Sequence, residues 1–143
     1  EEQEPWSVSQ RVQVFNIADW CNECGNCATF CPTAGSPYRD KPRLCLSEES
    51  FAAEDKAFRL TATHGGGMGI RMRAGGDEAR LAPDAEGWLY QERGVNAILD
   101  RKTLAINRIA LERLRWDTRQ AASMASLAAD LGATALGRWL AEE

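Results

Sequence analysis

The sequence predicts an α+β fold: a ferredoxin-like cysteine module, then a small antiparallel sheet, then C-terminal helices. Four cysteines and a proline lie within one short segment near the N-terminus. Apolar and polar residues alternate with period two through much of the middle of the chain, and from about Leu111 apolar residues recur every three or four positions. We therefore divide the 143 residues into a cysteine module at 1–48, a β region at 49–110 and a helical segment at 111–143.

The cysteine module contains the pattern Cys21-x-x-Cys24-x-x-Cys27-x-x-x-Cys31-Pro32. Bacterial ferredoxins hold 4Fe-4S clusters with this spacing. Such a cluster needs soft thiolate donors at several corners, and two-residue gaps allow one tight loop to present three sulfurs around it. We predict that Cys21, Cys24, Cys27 and Cys31 bind the iron of a 4Fe-4S cluster.

A structural zinc site and disulfide bonds are two other possible roles of these cysteines, and the sequence supports both less well. Structural zinc sites usually take two cysteine or histidine pairs separated by a dozen or more residues, whereas these four lie on one loop and the chain has one histidine, His64. Disulfides are typical of small secreted domains, but no signal peptide is visible and the cysteine count is five, an odd number.

Local signals predict how the cysteine loop is built. Residues 11–18 alternate in polarity and predict a strand that leads into the first cysteine. Asn26 to Phe30 should form a short helix that Pro32 stops. Gly25 suits a sharp turn in which the backbone approaches the cluster closely.

Side chains beside the loop have two interpretations each. Trp20 and Phe30 either shield the cluster from water or pack into an ordinary core. The cations Arg39, Lys41 and Arg43 either dock an acidic electron partner or, as we prefer, are solvated on a turn.

The β region predicts a meander of four to six short strands joined by glycine turns. The turn from His64 to Gly69 lacks the spacing of a phosphate-binding loop, so we interpret it as a hairpin connection. In the helical segment, Gly132 is a predicted C-cap and Thr134 a predicted start of the last helix.

Cys45 leaves the ligand set open. In two-cluster ferredoxins the fourth cysteine of this motif ligates the other cluster, so Cys31 could serve a partner cluster. The missing ligand would then be Cys45 or a cysteine upstream of Glu1. Otherwise Cys45 is a buried free thiol that behaves as a small hydrophobic residue.

Composition narrows the function classes. A net charge of −4 argues against nucleic acid as a partner, and no apolar run is long enough for a membrane helix. Free thiolates predict a cytoplasmic location. The chain begins at Glu1 rather than Met, and we interpret it as a piece of a longer polypeptide.

The run from Trp20 to Pro32, continued by the Pro-Tyr-Arg-Asp-Lys-Pro tail that ends at Pro42, resembles a known segment. It is similar to the C-terminal ferredoxin-type region of the selenate reductase flavoproteins, large oxidoreductases related to the small subunit of glutamate synthase. The resemblance covers about residues 10–55. It implies that the four cysteines of the motif are ligands of a 4Fe-4S cluster, and that flavin- and NAD(P)H-binding domains and a second cysteine motif lie upstream.

We therefore expect an electron-transfer module that relays single electrons between flavin or NAD(P)H centres and a redox acceptor protein. It would be a non-catalytic domain or subunit of an oxidoreductase, since the sequence offers no acid–base pair or nucleophile constellation. The alternatives are a stand-alone ferredoxin-like carrier or small subunit and a structural zinc-binding interaction module. We predict no membrane or nucleic-acid partner.

Overall fold

The computed structural model describes residues 7–9, 13–113 and 115–142. Its main element is one eight-stranded sheet whose strand order follows the chain from β1 to β8. The strands are β1 Asn16–Ile17, β2 Arg43–Leu44, β3 Lys56–Ala62, β4 Met68–Ala74, β5 Asp77–Asp84, β6 Gly87–Glu92, β7 Val95–Leu99 and β8 Ile106–Leu111. The helices are α1 Asn26–Phe30, α2 Pro37–Asp40, α3 Glu48–Ala53, α4 Arg119–Gly132 and α5 Ala135–Glu142, with a short 3-10 turn at Ala18–Trp20.

The predicted fold class is wrong. The sheet is large and mixed, not a small antiparallel sheet that follows a separate ferredoxin-like module. Strand β1 pairs with β2 and β2 with β3, both in parallel, so the strands that flank the cysteine segment extend the same sheet. A parallel pair needs a long crossover connection, and residues 18–42, which contain the motif, are that connection between β1 and β2.

The remaining pairs, from β3 to β8, are antiparallel and join successive strands. This part agrees with the predicted meander, and the turn after His64 closes the β3–β4 hairpin through the Thr63 N–H, which donates to the Gly67 carbonyl at 3.0 Å. Strand β8 ends at Leu111, and the next helix, α4, begins at Arg119.

The core lies between one face of the meander and α4. Its buried side chains include Tyr90, Ile70, Leu81, Leu99 and Met124. Helix α4 buries a stripe of alanines and Met124, because small side chains let the helix approach the sheet closely.

The ends of the last two helices differ slightly from expectation. Gly132 is the last residue of α4 and Ala133 is its C-cap. The Thr134 hydroxyl accepts a hydrogen bond from the Gly137 N–H at 2.9 Å, so Thr134 does begin α5. Within the described residues, no helix is long and apolar enough to cross a membrane.

Part of the strand predicted at 11–18 lies outside the described residues, since Arg11 and Val12 are not among them. Of the remainder, only Asn16–Ile17 is a strand. The predicted domain boundaries at 48 and 110 stay predictions.

Candidate functional site

The cysteine loop begins directly where β1 ends. Ala18–Trp20 forms a 3-10 turn, and the Cys21 N–H donates to the Ala18 carbonyl at 3.2 Å. Asp19 in this turn accepts hydrogen bonds from the Leu46 N–H at 2.9 Å and from the Ser47 hydroxyl at 3.4 Å. The start of the loop is thereby tied to the segment that follows β2.

Two residues of the loop adopt left-handed backbone conformations. Glu23 has a φ of 56° and Gly25 a φ of 80°. Gly25 is the N-cap residue of α1, and a Cβ built on it would meet nothing within 4 Å. The backbone dihedral therefore explains the glycine, whereas the protein itself does not crowd this position.

The helix predicted at Asn26–Phe30 is confirmed as α1, and it carries Cys27. Cys31 follows it in an extended conformation, as expected for the residue before a proline. The Cys31 Sγ lies 3.4 Å from the Thr33 hydroxyl oxygen, and this hydrogen bond lowers the pKa of the Cys31 thiol.

All four cysteines of the motif line one open concavity of about 460 Å³. All four are free thiols; Cys24 and Cys27 are exposed, while Cys21 and Cys31 are partly buried. The other walls come from the end of β1, from the loop itself and from the start of α2. The lining residues besides the cysteines are Val14, Phe15, Asn16, Ile17, Trp20, Asn22, Glu23, Gly25, Phe30, Pro32, Pro37 and Tyr38.

Trp20 and Phe30 stand at the rim of this concavity, but neither is packed into a core. Trp20 is 64% exposed and Phe30 is 84% exposed. The Trp20 ring lies 6.1 Å from the ring of Trp139, measured between centroids, so the rim is continuous with α5. Two large, exposed apolar side chains therefore line the concavity together with the thiols.

Cys45 does not line the concavity. It is buried in a small separate cluster with Phe51 and Ala57. Burial raises the pKa of the Cys45 thiol to about 11. Of the two roles considered for this residue, its surroundings match those of a buried free thiol.

The concavity offers four thiols as possible metal ligands. A 4Fe-4S cluster takes four cysteine ligands, each on a different iron atom, so the number and type of these donors fit such a cluster. The sulfurs of such a site surround the cluster. No group of three or more His, Cys, Asp or Glu side chains in the described part of the chain is arranged to hold a single metal ion.

Two contributors to the site are not predicted from the sequence. Arg43 is expected to be a solvated cation, but its side chain is only 15% exposed and pairs with Glu23 inside the loop. Asp19 carries no expectation of a role at all. No local sequence pattern indicates the contacts of either residue, since the residues that they bind are distant in sequence.

Fold and site together define a class of structure: a mixed sheet that carries an exposed, thiol-lined loop in the crossover between two parallel strands. No family model matches the chain, and no solved structure matches it. A 41-residue part of the chain is 58% identical to a protein of Escherichia coli K12 described as "Putative oxidoreductase YgfK", and equally to the protein of that description from Escherichia coli O157:H7. The matched part is 29% of this chain but only 4% of the length of either relative.

Proposed function

We propose that this chain is an iron–sulfur electron-transfer module of an oxidoreductase. The single observation that carries the proposal is the concavity shared by Cys21, Cys24, Cys27 and Cys31. The partial similarity to a protein described as an oxidoreductase supports the same class. When bound, a 4Fe-4S cluster accepts and returns one electron at a time, with no bond to a substrate made or broken.

The residues at the concavity would have separate roles in binding the cluster. The four thiolates bind iron, and Thr33 stabilises the thiolate of Cys31 through its hydroxyl. The apolar rim of Trp20 and Phe30 lowers the polarity around the concavity and offers an exposed edge to an electron partner. Cys45 takes no part, because it is buried elsewhere.

The donor and acceptor are further proposals that rest on the family resemblance. A flavin- and NAD(P)H-binding domain or subunit would supply the electron, and a redox acceptor protein would receive it. A reducing compartment such as the cytoplasm would keep the four thiols free to bind iron.

Anaerobic reconstitution with iron and sulfide tests the proposal. The wild-type protein should turn brown and retain about four iron and four labile sulfide ions per chain. Cys24→Ser should lose most of both, whereas the control Cys45→Ser, which also removes one thiol, should retain them. Stoichiometric zinc with no iron in the wild type, under conditions that offer both metals, would replace the proposal with a structural zinc site.

A further inference from the structure

Arg43 is a largely buried cation beside the cysteine loop. Its side chain is 15% exposed, although it opens a strand of only two residues. The Nη1 group lies 2.9 Å from a Glu23 carboxylate oxygen and donates to the Tyr38 carbonyl at 3.3 Å. The Nη2 group lies 3.1 Å from a carboxylate oxygen of Glu54, the C-cap residue of α3.

The guanidinium of Arg43 joins three parts of the chain. Glu23 lies between the first two cysteines of the motif and has a left-handed backbone, which is unfavourable for a residue other than glycine. A strained conformation persists when its surroundings hold it, and the ion pair with Arg43 is the long-range contact of the Glu23 side chain. Glu54 and Tyr38 in turn hold the guanidinium, so the loop is fixed to α2 and α3 through one side chain.

The guanidinium of Arg43 also lies beside the concavity. Glu23 lines the concavity together with Cys21, and Arg43 contacts the Glu23 carboxylate at 2.9 Å, so the positive charge is one side chain away from the thiols. The Nε atom of Arg43 is buried and has no hydrogen-bond partner in the described residues, so the guanidinium is held through its two Nη groups. A charge with this little exposure is screened less by water and salt than a surface charge.

Arg39, four residues earlier, provides the contrast. Its side chain is 68% exposed, forms an ion pair with its neighbour Asp40 at 3.3 Å, and lies over the Tyr38 ring at 5.9 Å from the centroid. It carries the same charge in the same segment, but it does not contact the cysteine loop through any hydrogen bond or ion pair found among the described residues. Water screens it, so its effect on the concavity should be small.

We propose that Arg43 is the positioning residue that holds the Cys21–Cys24 turn in shape for the cluster and raises the reduction potential of that cluster by its buried charge. The inference rests on the proposed function. Reduction adds one electron, and therefore one negative charge, to the cluster. A nearby positive charge stabilises the reduced form and a nearby negative charge destabilises it.

The test compares midpoint potentials and cluster-release rates in the reconstituted 143-residue chain and its variants. Arg43→Gln should move the midpoint to a more negative potential, and Glu23→Gln should move it to a more positive one. Both changes break the same ion pair, so a merely structural role would shift the two variants in the same direction. Both should release iron to a chelator faster than the wild type.

Two further variants separate charge from geometry. Arg43→Lys keeps the charge but loses the planar fork, so its midpoint should stay close to the wild type while its iron release is faster. Arg39→Gln removes the same charge as Arg43→Gln, but its midpoint and release rate should both match the wild type. Arg43→Lys also covers the case in which Arg43→Gln does not fold.

The outcomes distinguish the two proposals. Wild-type protein that binds no iron would overturn the proposed function and this inference with it. A normal cluster in every variant, with unchanged midpoints and release rates, would overturn the role of Arg43 alone. That role would also be overturned if Arg39→Gln moved the midpoint as far as Arg43→Gln, or if Arg43→Gln and Glu23→Gln moved it in the same direction.

Discussion

The antiparallel meander and the cysteine crossover are held together in different ways. Strands β3–β8 and α4 contain most of the large apolar side chains that are buried, and Tyr90, Ile70 and Leu99 are completely enclosed. Residues 18–42 bury only one side chain, that of Pro37. Their structure instead depends on left-handed turns and on contacts such as those of Asp19 and Arg43 with distant residues.

This difference suggests a division of roles. The packing of the meander should make it the stable part of the fold. The crossover is a loop whose thiols, two exposed and two partly buried, are accessible to a ligand. Changes in the meander should therefore reduce the stability of the apo protein. Changes in the crossover should affect metal binding and reduce that stability less than matched changes in the meander.

The largest contrast should come from truncating one apolar side chain in each region. Ile70 is 0% exposed and packs in the centre of the core, so Ile70→Ala should lower the free energy of unfolding by about 2–5 kcal/mol. Phe30→Ala should change it by less than about 0.5 kcal/mol, because Phe30 is exposed. Urea denaturation of the apo protein measures both, and equal losses would contradict the division.

A glycine from each region gives the next contrast. A Cβ at Gly87, where φ is 148°, would overlap the Leu99 carbonyl oxygen, so Gly87→Ala should cost about 3 kcal/mol or more. Gly25→Ala meets no atom and should cost only the left-handed backbone strain, about 1–2 kcal/mol. If thermal or urea unfolding ranked Gly25→Ala as the more damaging change, the crossover would be the more rigid region.

The cysteines themselves sharpen the comparison. Cys45→Ser places a hydroxyl in a buried apolar cluster and should lower the stability of the apo protein by about 1–3 kcal/mol, while the reconstituted protein still binds iron. Cys24→Ser should cost less than about 0.5 kcal/mol and abolish iron binding. Loss of iron in the Cys45 variant would instead identify Cys45 as the fourth ligand.

The smallest expected effect is a pH dependence. Burial raises the pKa of Cys45 from its ordinary value of 9.0 to about 11, so the unfolded chain loses this proton first as the pH rises. The contribution of Cys45 is fully present below about pH 9 and is lost as the pH rises towards about 11. The unfolding free energy of the wild type should therefore fall more steeply across this range than that of Cys45→Ala, and parallel curves would contradict the assignment.

The sequence predicted some of this structure well. Pro32 and the cysteine spacing located α1, and the alternation of polarity with glycine turns located the hairpins of the meander. It did not predict the single mixed sheet, because β1 and β2 have two residues each and leave no periodic pattern. Their parallel pairing also spans a long crossover that local signals do not describe.

The site was predictable to a similar degree. The motif identified the four thiols, and the structure brings those four to one concavity. The inward position of Arg43 was not predictable, since its partner Glu23 lies 20 residues earlier and a charged residue beside a turn is usually solvated. The exposure of Trp20 and Phe30 contradicts the interpretation that they pack into an ordinary core, because burial depends on contacts that no local pattern records. Their shielding of a cluster stays a prediction.

The most direct test of the electron-transfer role is a reductive titration of the reconstituted protein, followed by electron paramagnetic resonance. We predict that one electron per chain bleaches the visible absorbance and produces the signal of a reduced 4Fe-4S cluster, and that an oxidant reverses both changes. A protein that stays colourless and silent after reconstitution, or whose colour does not respond to reductant, would contradict the claim that this loop carries electrons.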